Sequence, residues 1–218
     1  MTEIELVGID ADDTLWQSET FFAEVEEKFT ELMSKYSSDT SLEESLSSNE
    51  ISNLRVFGYG VKSFTLSMIE TAHLASGGNI ASSDIKQIIS WGKELLQHPV
   101  ILLDGAEEAI RELASNFTVY IVTKGDLLHQ RSKIEDSGLD KLVAGFDIFH
   151  EKDPESYLDF LTEKNVDPKN FVMAGNSLRS DVLPIVAIGG HAVHIPYELT
   201  WDYDCLLYTS PSPRDNTG

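Results

Sequence analysis

The first apolar run of the chain is short and leads directly into negative charge. Residues 4–9 read IELVGI, and Asp10, Asp12 and Asp13 follow within four positions. A short apolar run of this kind is typical of a buried strand. Carboxylates this close together raise one another's pKa unless a cation or hydrogen-bond donors compensate. The pattern therefore predicts a strand that ends at aspartates held by compensating groups.

Helical spacing of apolar residues dominates the next part of the chain. It predicts a helix that begins after the N-cap Ser18 and runs to about Tyr36, and two further helices near residues 61–75 and 84–97. The intervening serine-rich and acidic segment, residues 37–50, predicts a mobile loop or a frayed short helix. No strand is predicted here, so this part of the chain is expected to be all-helical.

Strands and helices alternate beyond Pro99. The predicted helices lie near residues 105–116, 127–137, 154–164 and 181–188, and the predicted strands are TVYIVT, FDIFH, FVMAG and HAVHI. Such alternation favours a parallel sheet covered by helices on both faces. We therefore predict a Rossmann-like α/β core, residues 1–15 and 99–204, with an all-helical cap domain, residues 16–98, inserted after the first strand.

Composition narrows the classes of partner. The 218 residues carry a net charge of −21, and the sequence pI is about 4.4. A surface this acidic repels phosphate backbones and anionic lipids, so nucleic acid and membrane partners are not expected. A small anionic substrate remains compatible, because a bound metal and a local lysine can invert the field inside a pocket.

Cysteine usage and the chain ends add three expectations. Cys205 is the only cysteine, which excludes an intrachain disulfide and a cysteine-based zinc site. The N-terminus has neither the positive charge nor the apolar stretch of a signal peptide, so a cytoplasmic location is expected. Residues 205–218 lack periodicity and resemble translated adapter sequence, so we expect them to be a non-native tail.

Four loops at predicted strand ends carry the candidate chemistry. Sheets of this type bind ligands outside the carboxyl ends of their strands. The four loops span residues 10–14, 123–126, 150–154 and 175–177, and Asp181 follows the last one by a helical turn. Together they supply carboxylates for a cation, a hydroxyl, a lysine, and small residues that let backbone N–H groups approach a ligand.

The order and spacing of these residues resemble the haloacid dehalogenase-like (HAD) superfamily of hydrolases, most of which are phosphatases. Four motifs carry the resemblance: Asp10-x-Asp12-x-Thr14 after the first strand, Thr123 closing the second, Lys152 shortly before a helix, and Gly175-Asn176 followed by Asp181. The resemblance spans residues 4 to about 200. The helical segment after the first motif resembles the cap of that family.

The resemblance implies a role for each of these residues. Asp10 would attack phosphorus and form an aspartyl-phosphate, and Asp12 would act as general acid and base. Thr123 and Lys152 would hold phosphoryl oxygens. The implied cofactor is Mg²⁺, bound by the Asp10 carboxylate, the Asp12 backbone carbonyl and Asp181. The implied substrate is a small phosphorylated metabolite.

Several positions leave alternatives open. Asn176 stands where an aspartate is frequent, and it could orient a metal-bound water. Lys124 follows Thr123 where an asparagine is frequent, and it is either a second phosphate-binding cation or a solvated lysine. Other lysines compete with Lys152 for its role, and Asp13 is expected only to shape the turn. A haloacid dehalogenase, a phosphomutase and a non-catalytic phospho-ligand-binding protein remain alternative functions, although dehalogenases lack the acid at the position of Asp12.

Overall fold

The parallel sheet predicted from the sequence is present. The computed structural model describes residues 3–36 and 41–199. In this part of the chain a sheet contains five strands, all paired in parallel, in the order β3-β2-β1-β4-β5. The strands are β1 Leu6–Ile9, β2 Thr118–Lys124, β3 Gly145–Phe149, β4 Phe171–Gly175 and β5 His191–His194.

Strand β1 lies at the centre of the sheet, and all four of its residues are buried. None of these residues has a polar side chain, so the strand can be covered on both faces. Val7 and Ile9 pack into one hydrophobic cluster and Leu6 into another, as expected when successive side chains point to opposite faces. Gly8 fits here because a Cβ atom would lie 2.8 Å from the Met173 sulfur. The absence of a side chain therefore lets the neighbouring strand approach closely.

Helices cover both faces of this sheet. One face packs with residues of α5 and α6, and the other with residues of α7 and α8. The described helices are α1 Glu19–Met33, α2 Leu42–Phe57, α3 Val61–Ala75, α4 Ser82–Leu96, α5 Ala106–Ala114, α6 Leu127–Ser137, α7 Pro154–Lys164 and α8 Leu183–Ala187. None of the helices described in residues 3–36 and 41–199 is both long and apolar enough to cross a membrane.

Helices α1 to α4, which we call the helical insertion, form a hydrophobic cluster of their own. The prediction of a loop or frayed short helix for residues 37–50 is wrong for its described part, because residues 42–57 form a 16-residue helix. Leu42 and Leu46 are buried one turn apart, and Asn53 donates to the Ser67 hydroxyl of α3 at 3.0 Å. Packing against α3 therefore overrides the weak helix propensity of the serines.

One other helix differs from its predicted start. The helix expected at 181–188 begins earlier, as a π-helical turn, Leu178–Val182, that continues into α8. Ser177 starts this turn by accepting a hydrogen bond from the backbone N–H of Ser180. The proposed tail, residues 205–218, lies outside the described residues. The boundaries of core and cap remain a prediction.

The strand order decides where the motif loops meet. Strand β1 lies between β2 and β4, and β3 lies next to β2. Because all of these strands are parallel, their carboxyl ends reach the same edge of the sheet. The loops that follow β1, β2, β3 and β4 therefore converge, although they are up to about 165 positions apart in the sequence.

Candidate active site

A single cavity of about 180 Å³ brings the predicted site residues together. It opens where the strand-end loops face the helical insertion. Every residue assigned a role from the sequence lines it: Asp10, Asp12, Thr123, Lys124, Lys152, Asn176 and Asp181. Side chains of the insertion, including Phe22, Tyr59 and Phe64, form another part of its wall.

Lys152 lies at the base of this cavity between two buried carboxylates. Its Nζ donates to Oδ1 of Asp10 and, at 2.7 Å, to Oδ1 of Asp181. The adjacent Asp153 caps α7 by accepting from the backbone N–H of Ser156 at 2.8 Å, with Pro154 in the first turn. The start of α7 therefore fixes the loop that places Lys152, and this contact distinguishes Lys152 from the competing lysines.

The charges of this cluster do not balance. Lys152 is 3% exposed, Asp10 6% and Asp181 1%, so two carboxylates share one ammonium group away from water. Burial raises the pKa of Asp10 to about 7, and the Asp181 carboxylate adds to this against the opposing Lys152. The two carboxylates raise the pKa of Lys152 despite its burial, so the lysine remains charged. The cluster therefore has a surplus of negative charge when both acids are ionised.

Asp12 has a different environment, although it is only two residues away. Its Oδ1 accepts from Lys133 Nζ at 2.5 Å and from Trp16 Nε1 at 2.6 Å, and its Oδ2 accepts from Gln130 Nε2 at 3.0 Å. Burial acts to raise the pKa of Asp12, but the Lys133 ammonium and the three donors outweigh it and hold that pKa below its ordinary value. Asp12 is therefore a carboxylate in the metal-free protein.

Thr123 and Lys124, the last two residues of β2, line the cavity next to these acids. The Thr123 hydroxyl accepts from Gln130 Nε2 at 2.7 Å. Lys124 Nζ donates to the Ser180 hydroxyl at 2.8 Å, lies 3.7 Å from a Glu151 carboxylate oxygen, and lies 4.2 Å from the centre of the Tyr59 ring. Lys124 is therefore held within the site by residues of both the core and the insertion.

Thr14 and the loop after β4 complete the surroundings of Asp10. The Thr14 hydroxyl donates to Asp10 Oδ2 at 3.1 Å and accepts from the backbone N–H of Asn176 at 3.1 Å. Asp181 Oδ2 accepts from the backbone N–H of Ser177 at 3.0 Å. A Cβ atom on Gly175 would lie 2.3 Å from Asp181 Oδ2 and 2.8 Å from Asp10 Cβ. Only glycine at this position leaves room for both carboxylates.

Asp13 shapes the turn, as expected from the sequence. It has a φ of +59°, and its carboxylate accepts from the backbone N–H groups of Ser18 and Glu19 at the start of α1. Burial, with the nearby Asp12 charge, raises the pKa of Asp13 to about 7. The same residue therefore ends the strand loop and caps the first helix of the insertion.

Sequence comparison assigns the chain to a family. The model of haloacid dehalogenase-like hydrolases matches residues 4–189. A haloacid dehalogenase-like family hydrolase from Xanthomonas campestris is 44% identical, with a TM-score of 0.86 over 91% of this chain and 84% of that one. The chain belongs to the haloacid dehalogenase-like hydrolases. The comparison with curated proteins gave no match.

More distant HAD-like structures share the fold alone. YfnB from Bacillus subtilis, solved bound to magnesium, is 19% identical, with a TM-score of 0.62 over 88% of this chain and 87% of that one. A 2-haloacid dehalogenase from Pseudomonas syringae is also 19% identical, with a TM-score of 0.61 over 92% and 90% of the two chains. A dehalogenase and a magnesium-bound HAD-like hydrolase therefore share this fold, which by itself does not identify the reaction of this chain.

The donor set of this HAD-like site fits a divalent cation held by few carboxylates. No group of three or more His, Cys, Asp or Glu side chains within residues 3–36 and 41–199 is arranged to hold a metal ion. Mg²⁺ takes oxygen ligands, keeps several waters and commonly uses only one or two carboxylates. Asp10 and Asp181 supply two carboxylates, kept close together by Gly175 and with surplus negative charge, which is the chemistry that such a cation requires.

Two of the site residues that were not predicted from the sequence lie on α6 and contact Asp12. Gln130 and Lys133 lie three positions apart on α6, so they share a face of that helix. Both contact Asp12, and Gln130 also contacts Thr123. The sequence feature that could have identified them is their position near the start of the helix that follows the second motif. Such a helix starts at the carboxyl edge of the sheet, so its first turns lie close to the site.

Proposed function

We propose that this HAD-like hydrolase is an Mg²⁺-dependent phosphomonoester hydrolase that works through an aspartyl-phosphate. One observation carries the proposal: Asp10 and Asp12 line the same cavity, and each is held by its own lysine. Two carboxylates in different environments are suited to two roles, a nucleophile and a proton-transfer group. A dehalogenase needs only the first of these.

The roles follow from the positions of the side chains. An oxygen of Asp10 attacks phosphorus, the bond to the leaving oxygen breaks, and Asp12 protonates that oxygen. Asp12 then takes a proton from the water that hydrolyses the aspartyl-phosphate. Thr123, Lys124 and Lys152 hold phosphoryl oxygens, and Lys152 also screens Asp10 from Asp181.

The charge distribution supports the need for a cation. Asp10, Asp181 and the backbone carbonyl of Asp12 would hold Mg²⁺, and Asn176 would orient a water bound to it. The cation would supply positive charge beside the phosphoryl group and the carboxylates. With a pKa of about 7 in the metal-free protein, Asp10 is partly protonated near neutral pH, and a protonated carboxyl group is a poor nucleophile. Added positive charge beside Asp10 lowers that pKa. A bound phosphate dianion acts in the opposite sense on Asp12 and favours its protonated form.

The size of the cavity supports a small substrate. The volume of about 180 Å³ is below the roughly 300–1,000 Å³ of pockets for drug-sized ligands. We infer that the helical insertion acts as a cap over this cavity. Polar contacts join it to the strand-end loops: Tyr59 hydrogen-bonds to Glu151, and Lys62 Nζ lies 2.8 Å from Asp126 Oδ2.

The test is a panel of small phosphorylated metabolites assayed with Mg²⁺, with chelator, and with Mg²⁺ restored. We expect hydrolysis that disappears with chelator and returns with metal, and we expect Asp181→Ala to need far more Mg²⁺. A 2-haloacid in the absence of metal is the parallel arm for the dehalogenase alternative. Halide release at full rate in chelator, with no phosphate release in any condition, would replace the phosphatase assignment.

A further inference from the structure

Gln130 and Lys133 form a polar connection that the proposed chemistry does not yet use. Gln130 is 3% exposed, and its Nε2 lies within hydrogen-bonding distance of Asp12 Oδ2 (3.0 Å), Thr123 Oγ1 (2.7 Å) and the Lys124 backbone oxygen (3.1 Å). One buried amide thereby connects the first motif to the second. Burying a polar side chain costs free energy unless the side chain is hydrogen-bonded, so these acceptors are what allow Gln130 to be buried here.

Lys133 complements Gln130 on the other oxygen of Asp12. Its Nζ lies 2.5 Å from Oδ1 and 6.0 Å from the centre of the Trp16 ring, whose N–H donates to the same oxygen. The side chain of Lys133 is only 14% exposed, so it is held within the site. All three partners of the Asp12 carboxylate are therefore donors, and two of them come from one face of α6.

We propose that Gln130 and Lys133 are positioning residues that fix the orientation of the Asp12 carboxylate toward the leaving oxygen. This role rests on the proposed function, because it presupposes that Asp12 transfers a proton. Without Gln130, Oδ2 loses the donor described above, and without Lys133, Oδ1 keeps only the neutral Trp16 N–H. Loss of either residue therefore weakens the contacts that fix the plane of the carboxylate. Proton transfer needs that orientation within hydrogen-bonding reach of the substrate.

Two other roles for Lys133 make different predictions. If Lys133 bound the substrate phosphate directly, its loss would raise KM and would act independently of Asp12. If it only supported the fold, its loss would lower stability and would reduce turnover equally in any background. A positioning residue acts through Asp12, so its effect should disappear once the Asp12 carboxyl group has been replaced.

The experiment is a double-mutant cycle with Lys133→Met and Asp12→Asn, assayed with Mg²⁺ by phosphate release from an alkyl phosphate of the metabolite panel, because an alkoxide leaves poorly without a proton. In the wild-type background we expect Lys133→Met to lower kcat about tenfold, with little change in KM. This is less than the 10²–10⁴-fold that general acid–base catalysis typically contributes, because Asp12 itself remains. In the Asp12→Asn background the same change should lower kcat less than about twofold, because no carboxylate is left to position. Lys133→Arg should recover part of the loss, and Gln130→Leu should repeat the pattern of Lys133→Met.

The control is Lys141→Met, which removes the same charge from an exposed lysine outside the cavity and should leave kcat unchanged. An equal loss of kcat in both backgrounds, or a raised KM with unchanged kcat, would overturn the positioning role. Failure of the wild-type enzyme to release any phosphate with Mg²⁺ would instead count against the proposed function.

A second readout does not depend on turnover. Crystal structures of Lys133→Met and Gln130→Leu are expected to show the Asp12 carboxylate in a different rotamer from the wild-type enzyme. An unmoved carboxylate in both variants would refute the positioning role even if turnover had fallen. Thermal melting of each variant shows whether it folds. If one variant does not fold, the other is compared with the wild-type enzyme instead.

Discussion

Replacing Asp10 by asparagine should abolish turnover and, at the same time, stabilise the metal-free enzyme at alkaline pH. The reason is the surplus charge of the cluster in which Lys152 serves both Asp10 and Asp181. An asparagine keeps an oxygen that can accept from Lys152 and Thr14, and it removes the charge that the buried site cannot balance. Loss of stability is the more usual result of replacing a buried polar residue, so the sign of the effect is informative.

The magnitude follows from the pKa of Asp10, which burial raises from 3.8 to about 7. Between these values the folded enzyme holds a proton that the unfolded chain has released, so the stability contributed by Asp10 falls as pH rises through this window. At about 1.36 kcal/mol per unit the full effect is about 4 kcal/mol above pH 7. The interaction of ionised Asp10 with Lys152 is already contained in that shift of pKa. We therefore expect Asp10→Asn to stabilise the metal-free enzyme by up to about 4 kcal/mol at pH 8.

The assay is urea denaturation of wild-type enzyme and Asp10→Asn in chelator at several pH values from 4 to 8. The difference in unfolding free energy should be near zero or slightly unfavourable at pH 4 and should grow to its full value by pH 8. Asp12→Asn is the matched control: the pKa of Asp12 lies below its ordinary value, so its ionised form stabilises the fold at pH 8 and its loss should destabilise. Asp10→Asn being less stable than wild type at pH 8 would refute the reasoning.

Two further substitutions test the geometry of the site. Gly175→Ala should destabilise the fold by about 1–3 kcal/mol and reduce turnover, because the new Cβ would overlap with Asp181. Gly105→Ala has free space for its Cβ but a φ of +80°, so it should lower stability through backbone strain and leave turnover unchanged. Equal turnover of the two variants would contradict this account. Asp13→Ala should lower the free energy of unfolding by about 0.5–2 kcal/mol through loss of the cap on α1. Asp13→Asn should lower it less, because an amide oxygen still accepts the hydrogen bonds and asparagine tolerates the φ of +59°. Equal losses of the two variants in urea denaturation would show that Asp13 does not act as a cap.

The sequence by itself determined the elements and the family of this protein. Hydrophobic periodicity is a local property, so helices such as Val61–Ala75 and Pro154–Lys164 and strands such as Phe171–Gly175 were predicted with their observed bounds. The motif residues were also accessible, because the carboxyl ends of parallel strands are where such sheets bind ligands. Local preference failed at residues 42–57, where contacts with α3 stabilise a helix in a serine-rich segment.

Only the tertiary structure decided which of these residues act on one another. The sequence offered several lysines for the role of Lys152, and the choice depends on contacts with Asp10, 142 positions away, and with Asp181. In the same way, nothing in the sequence distinguishes Lys133 from other helical lysines. The positions of β2 and α6 in the fold bring it into contact with Asp12, 121 positions earlier. The surplus charge at Asp10 and the three donors around Asp12 both arise from burial and through-space contacts, which depend on how the strands are ordered rather than on any local pattern of residues.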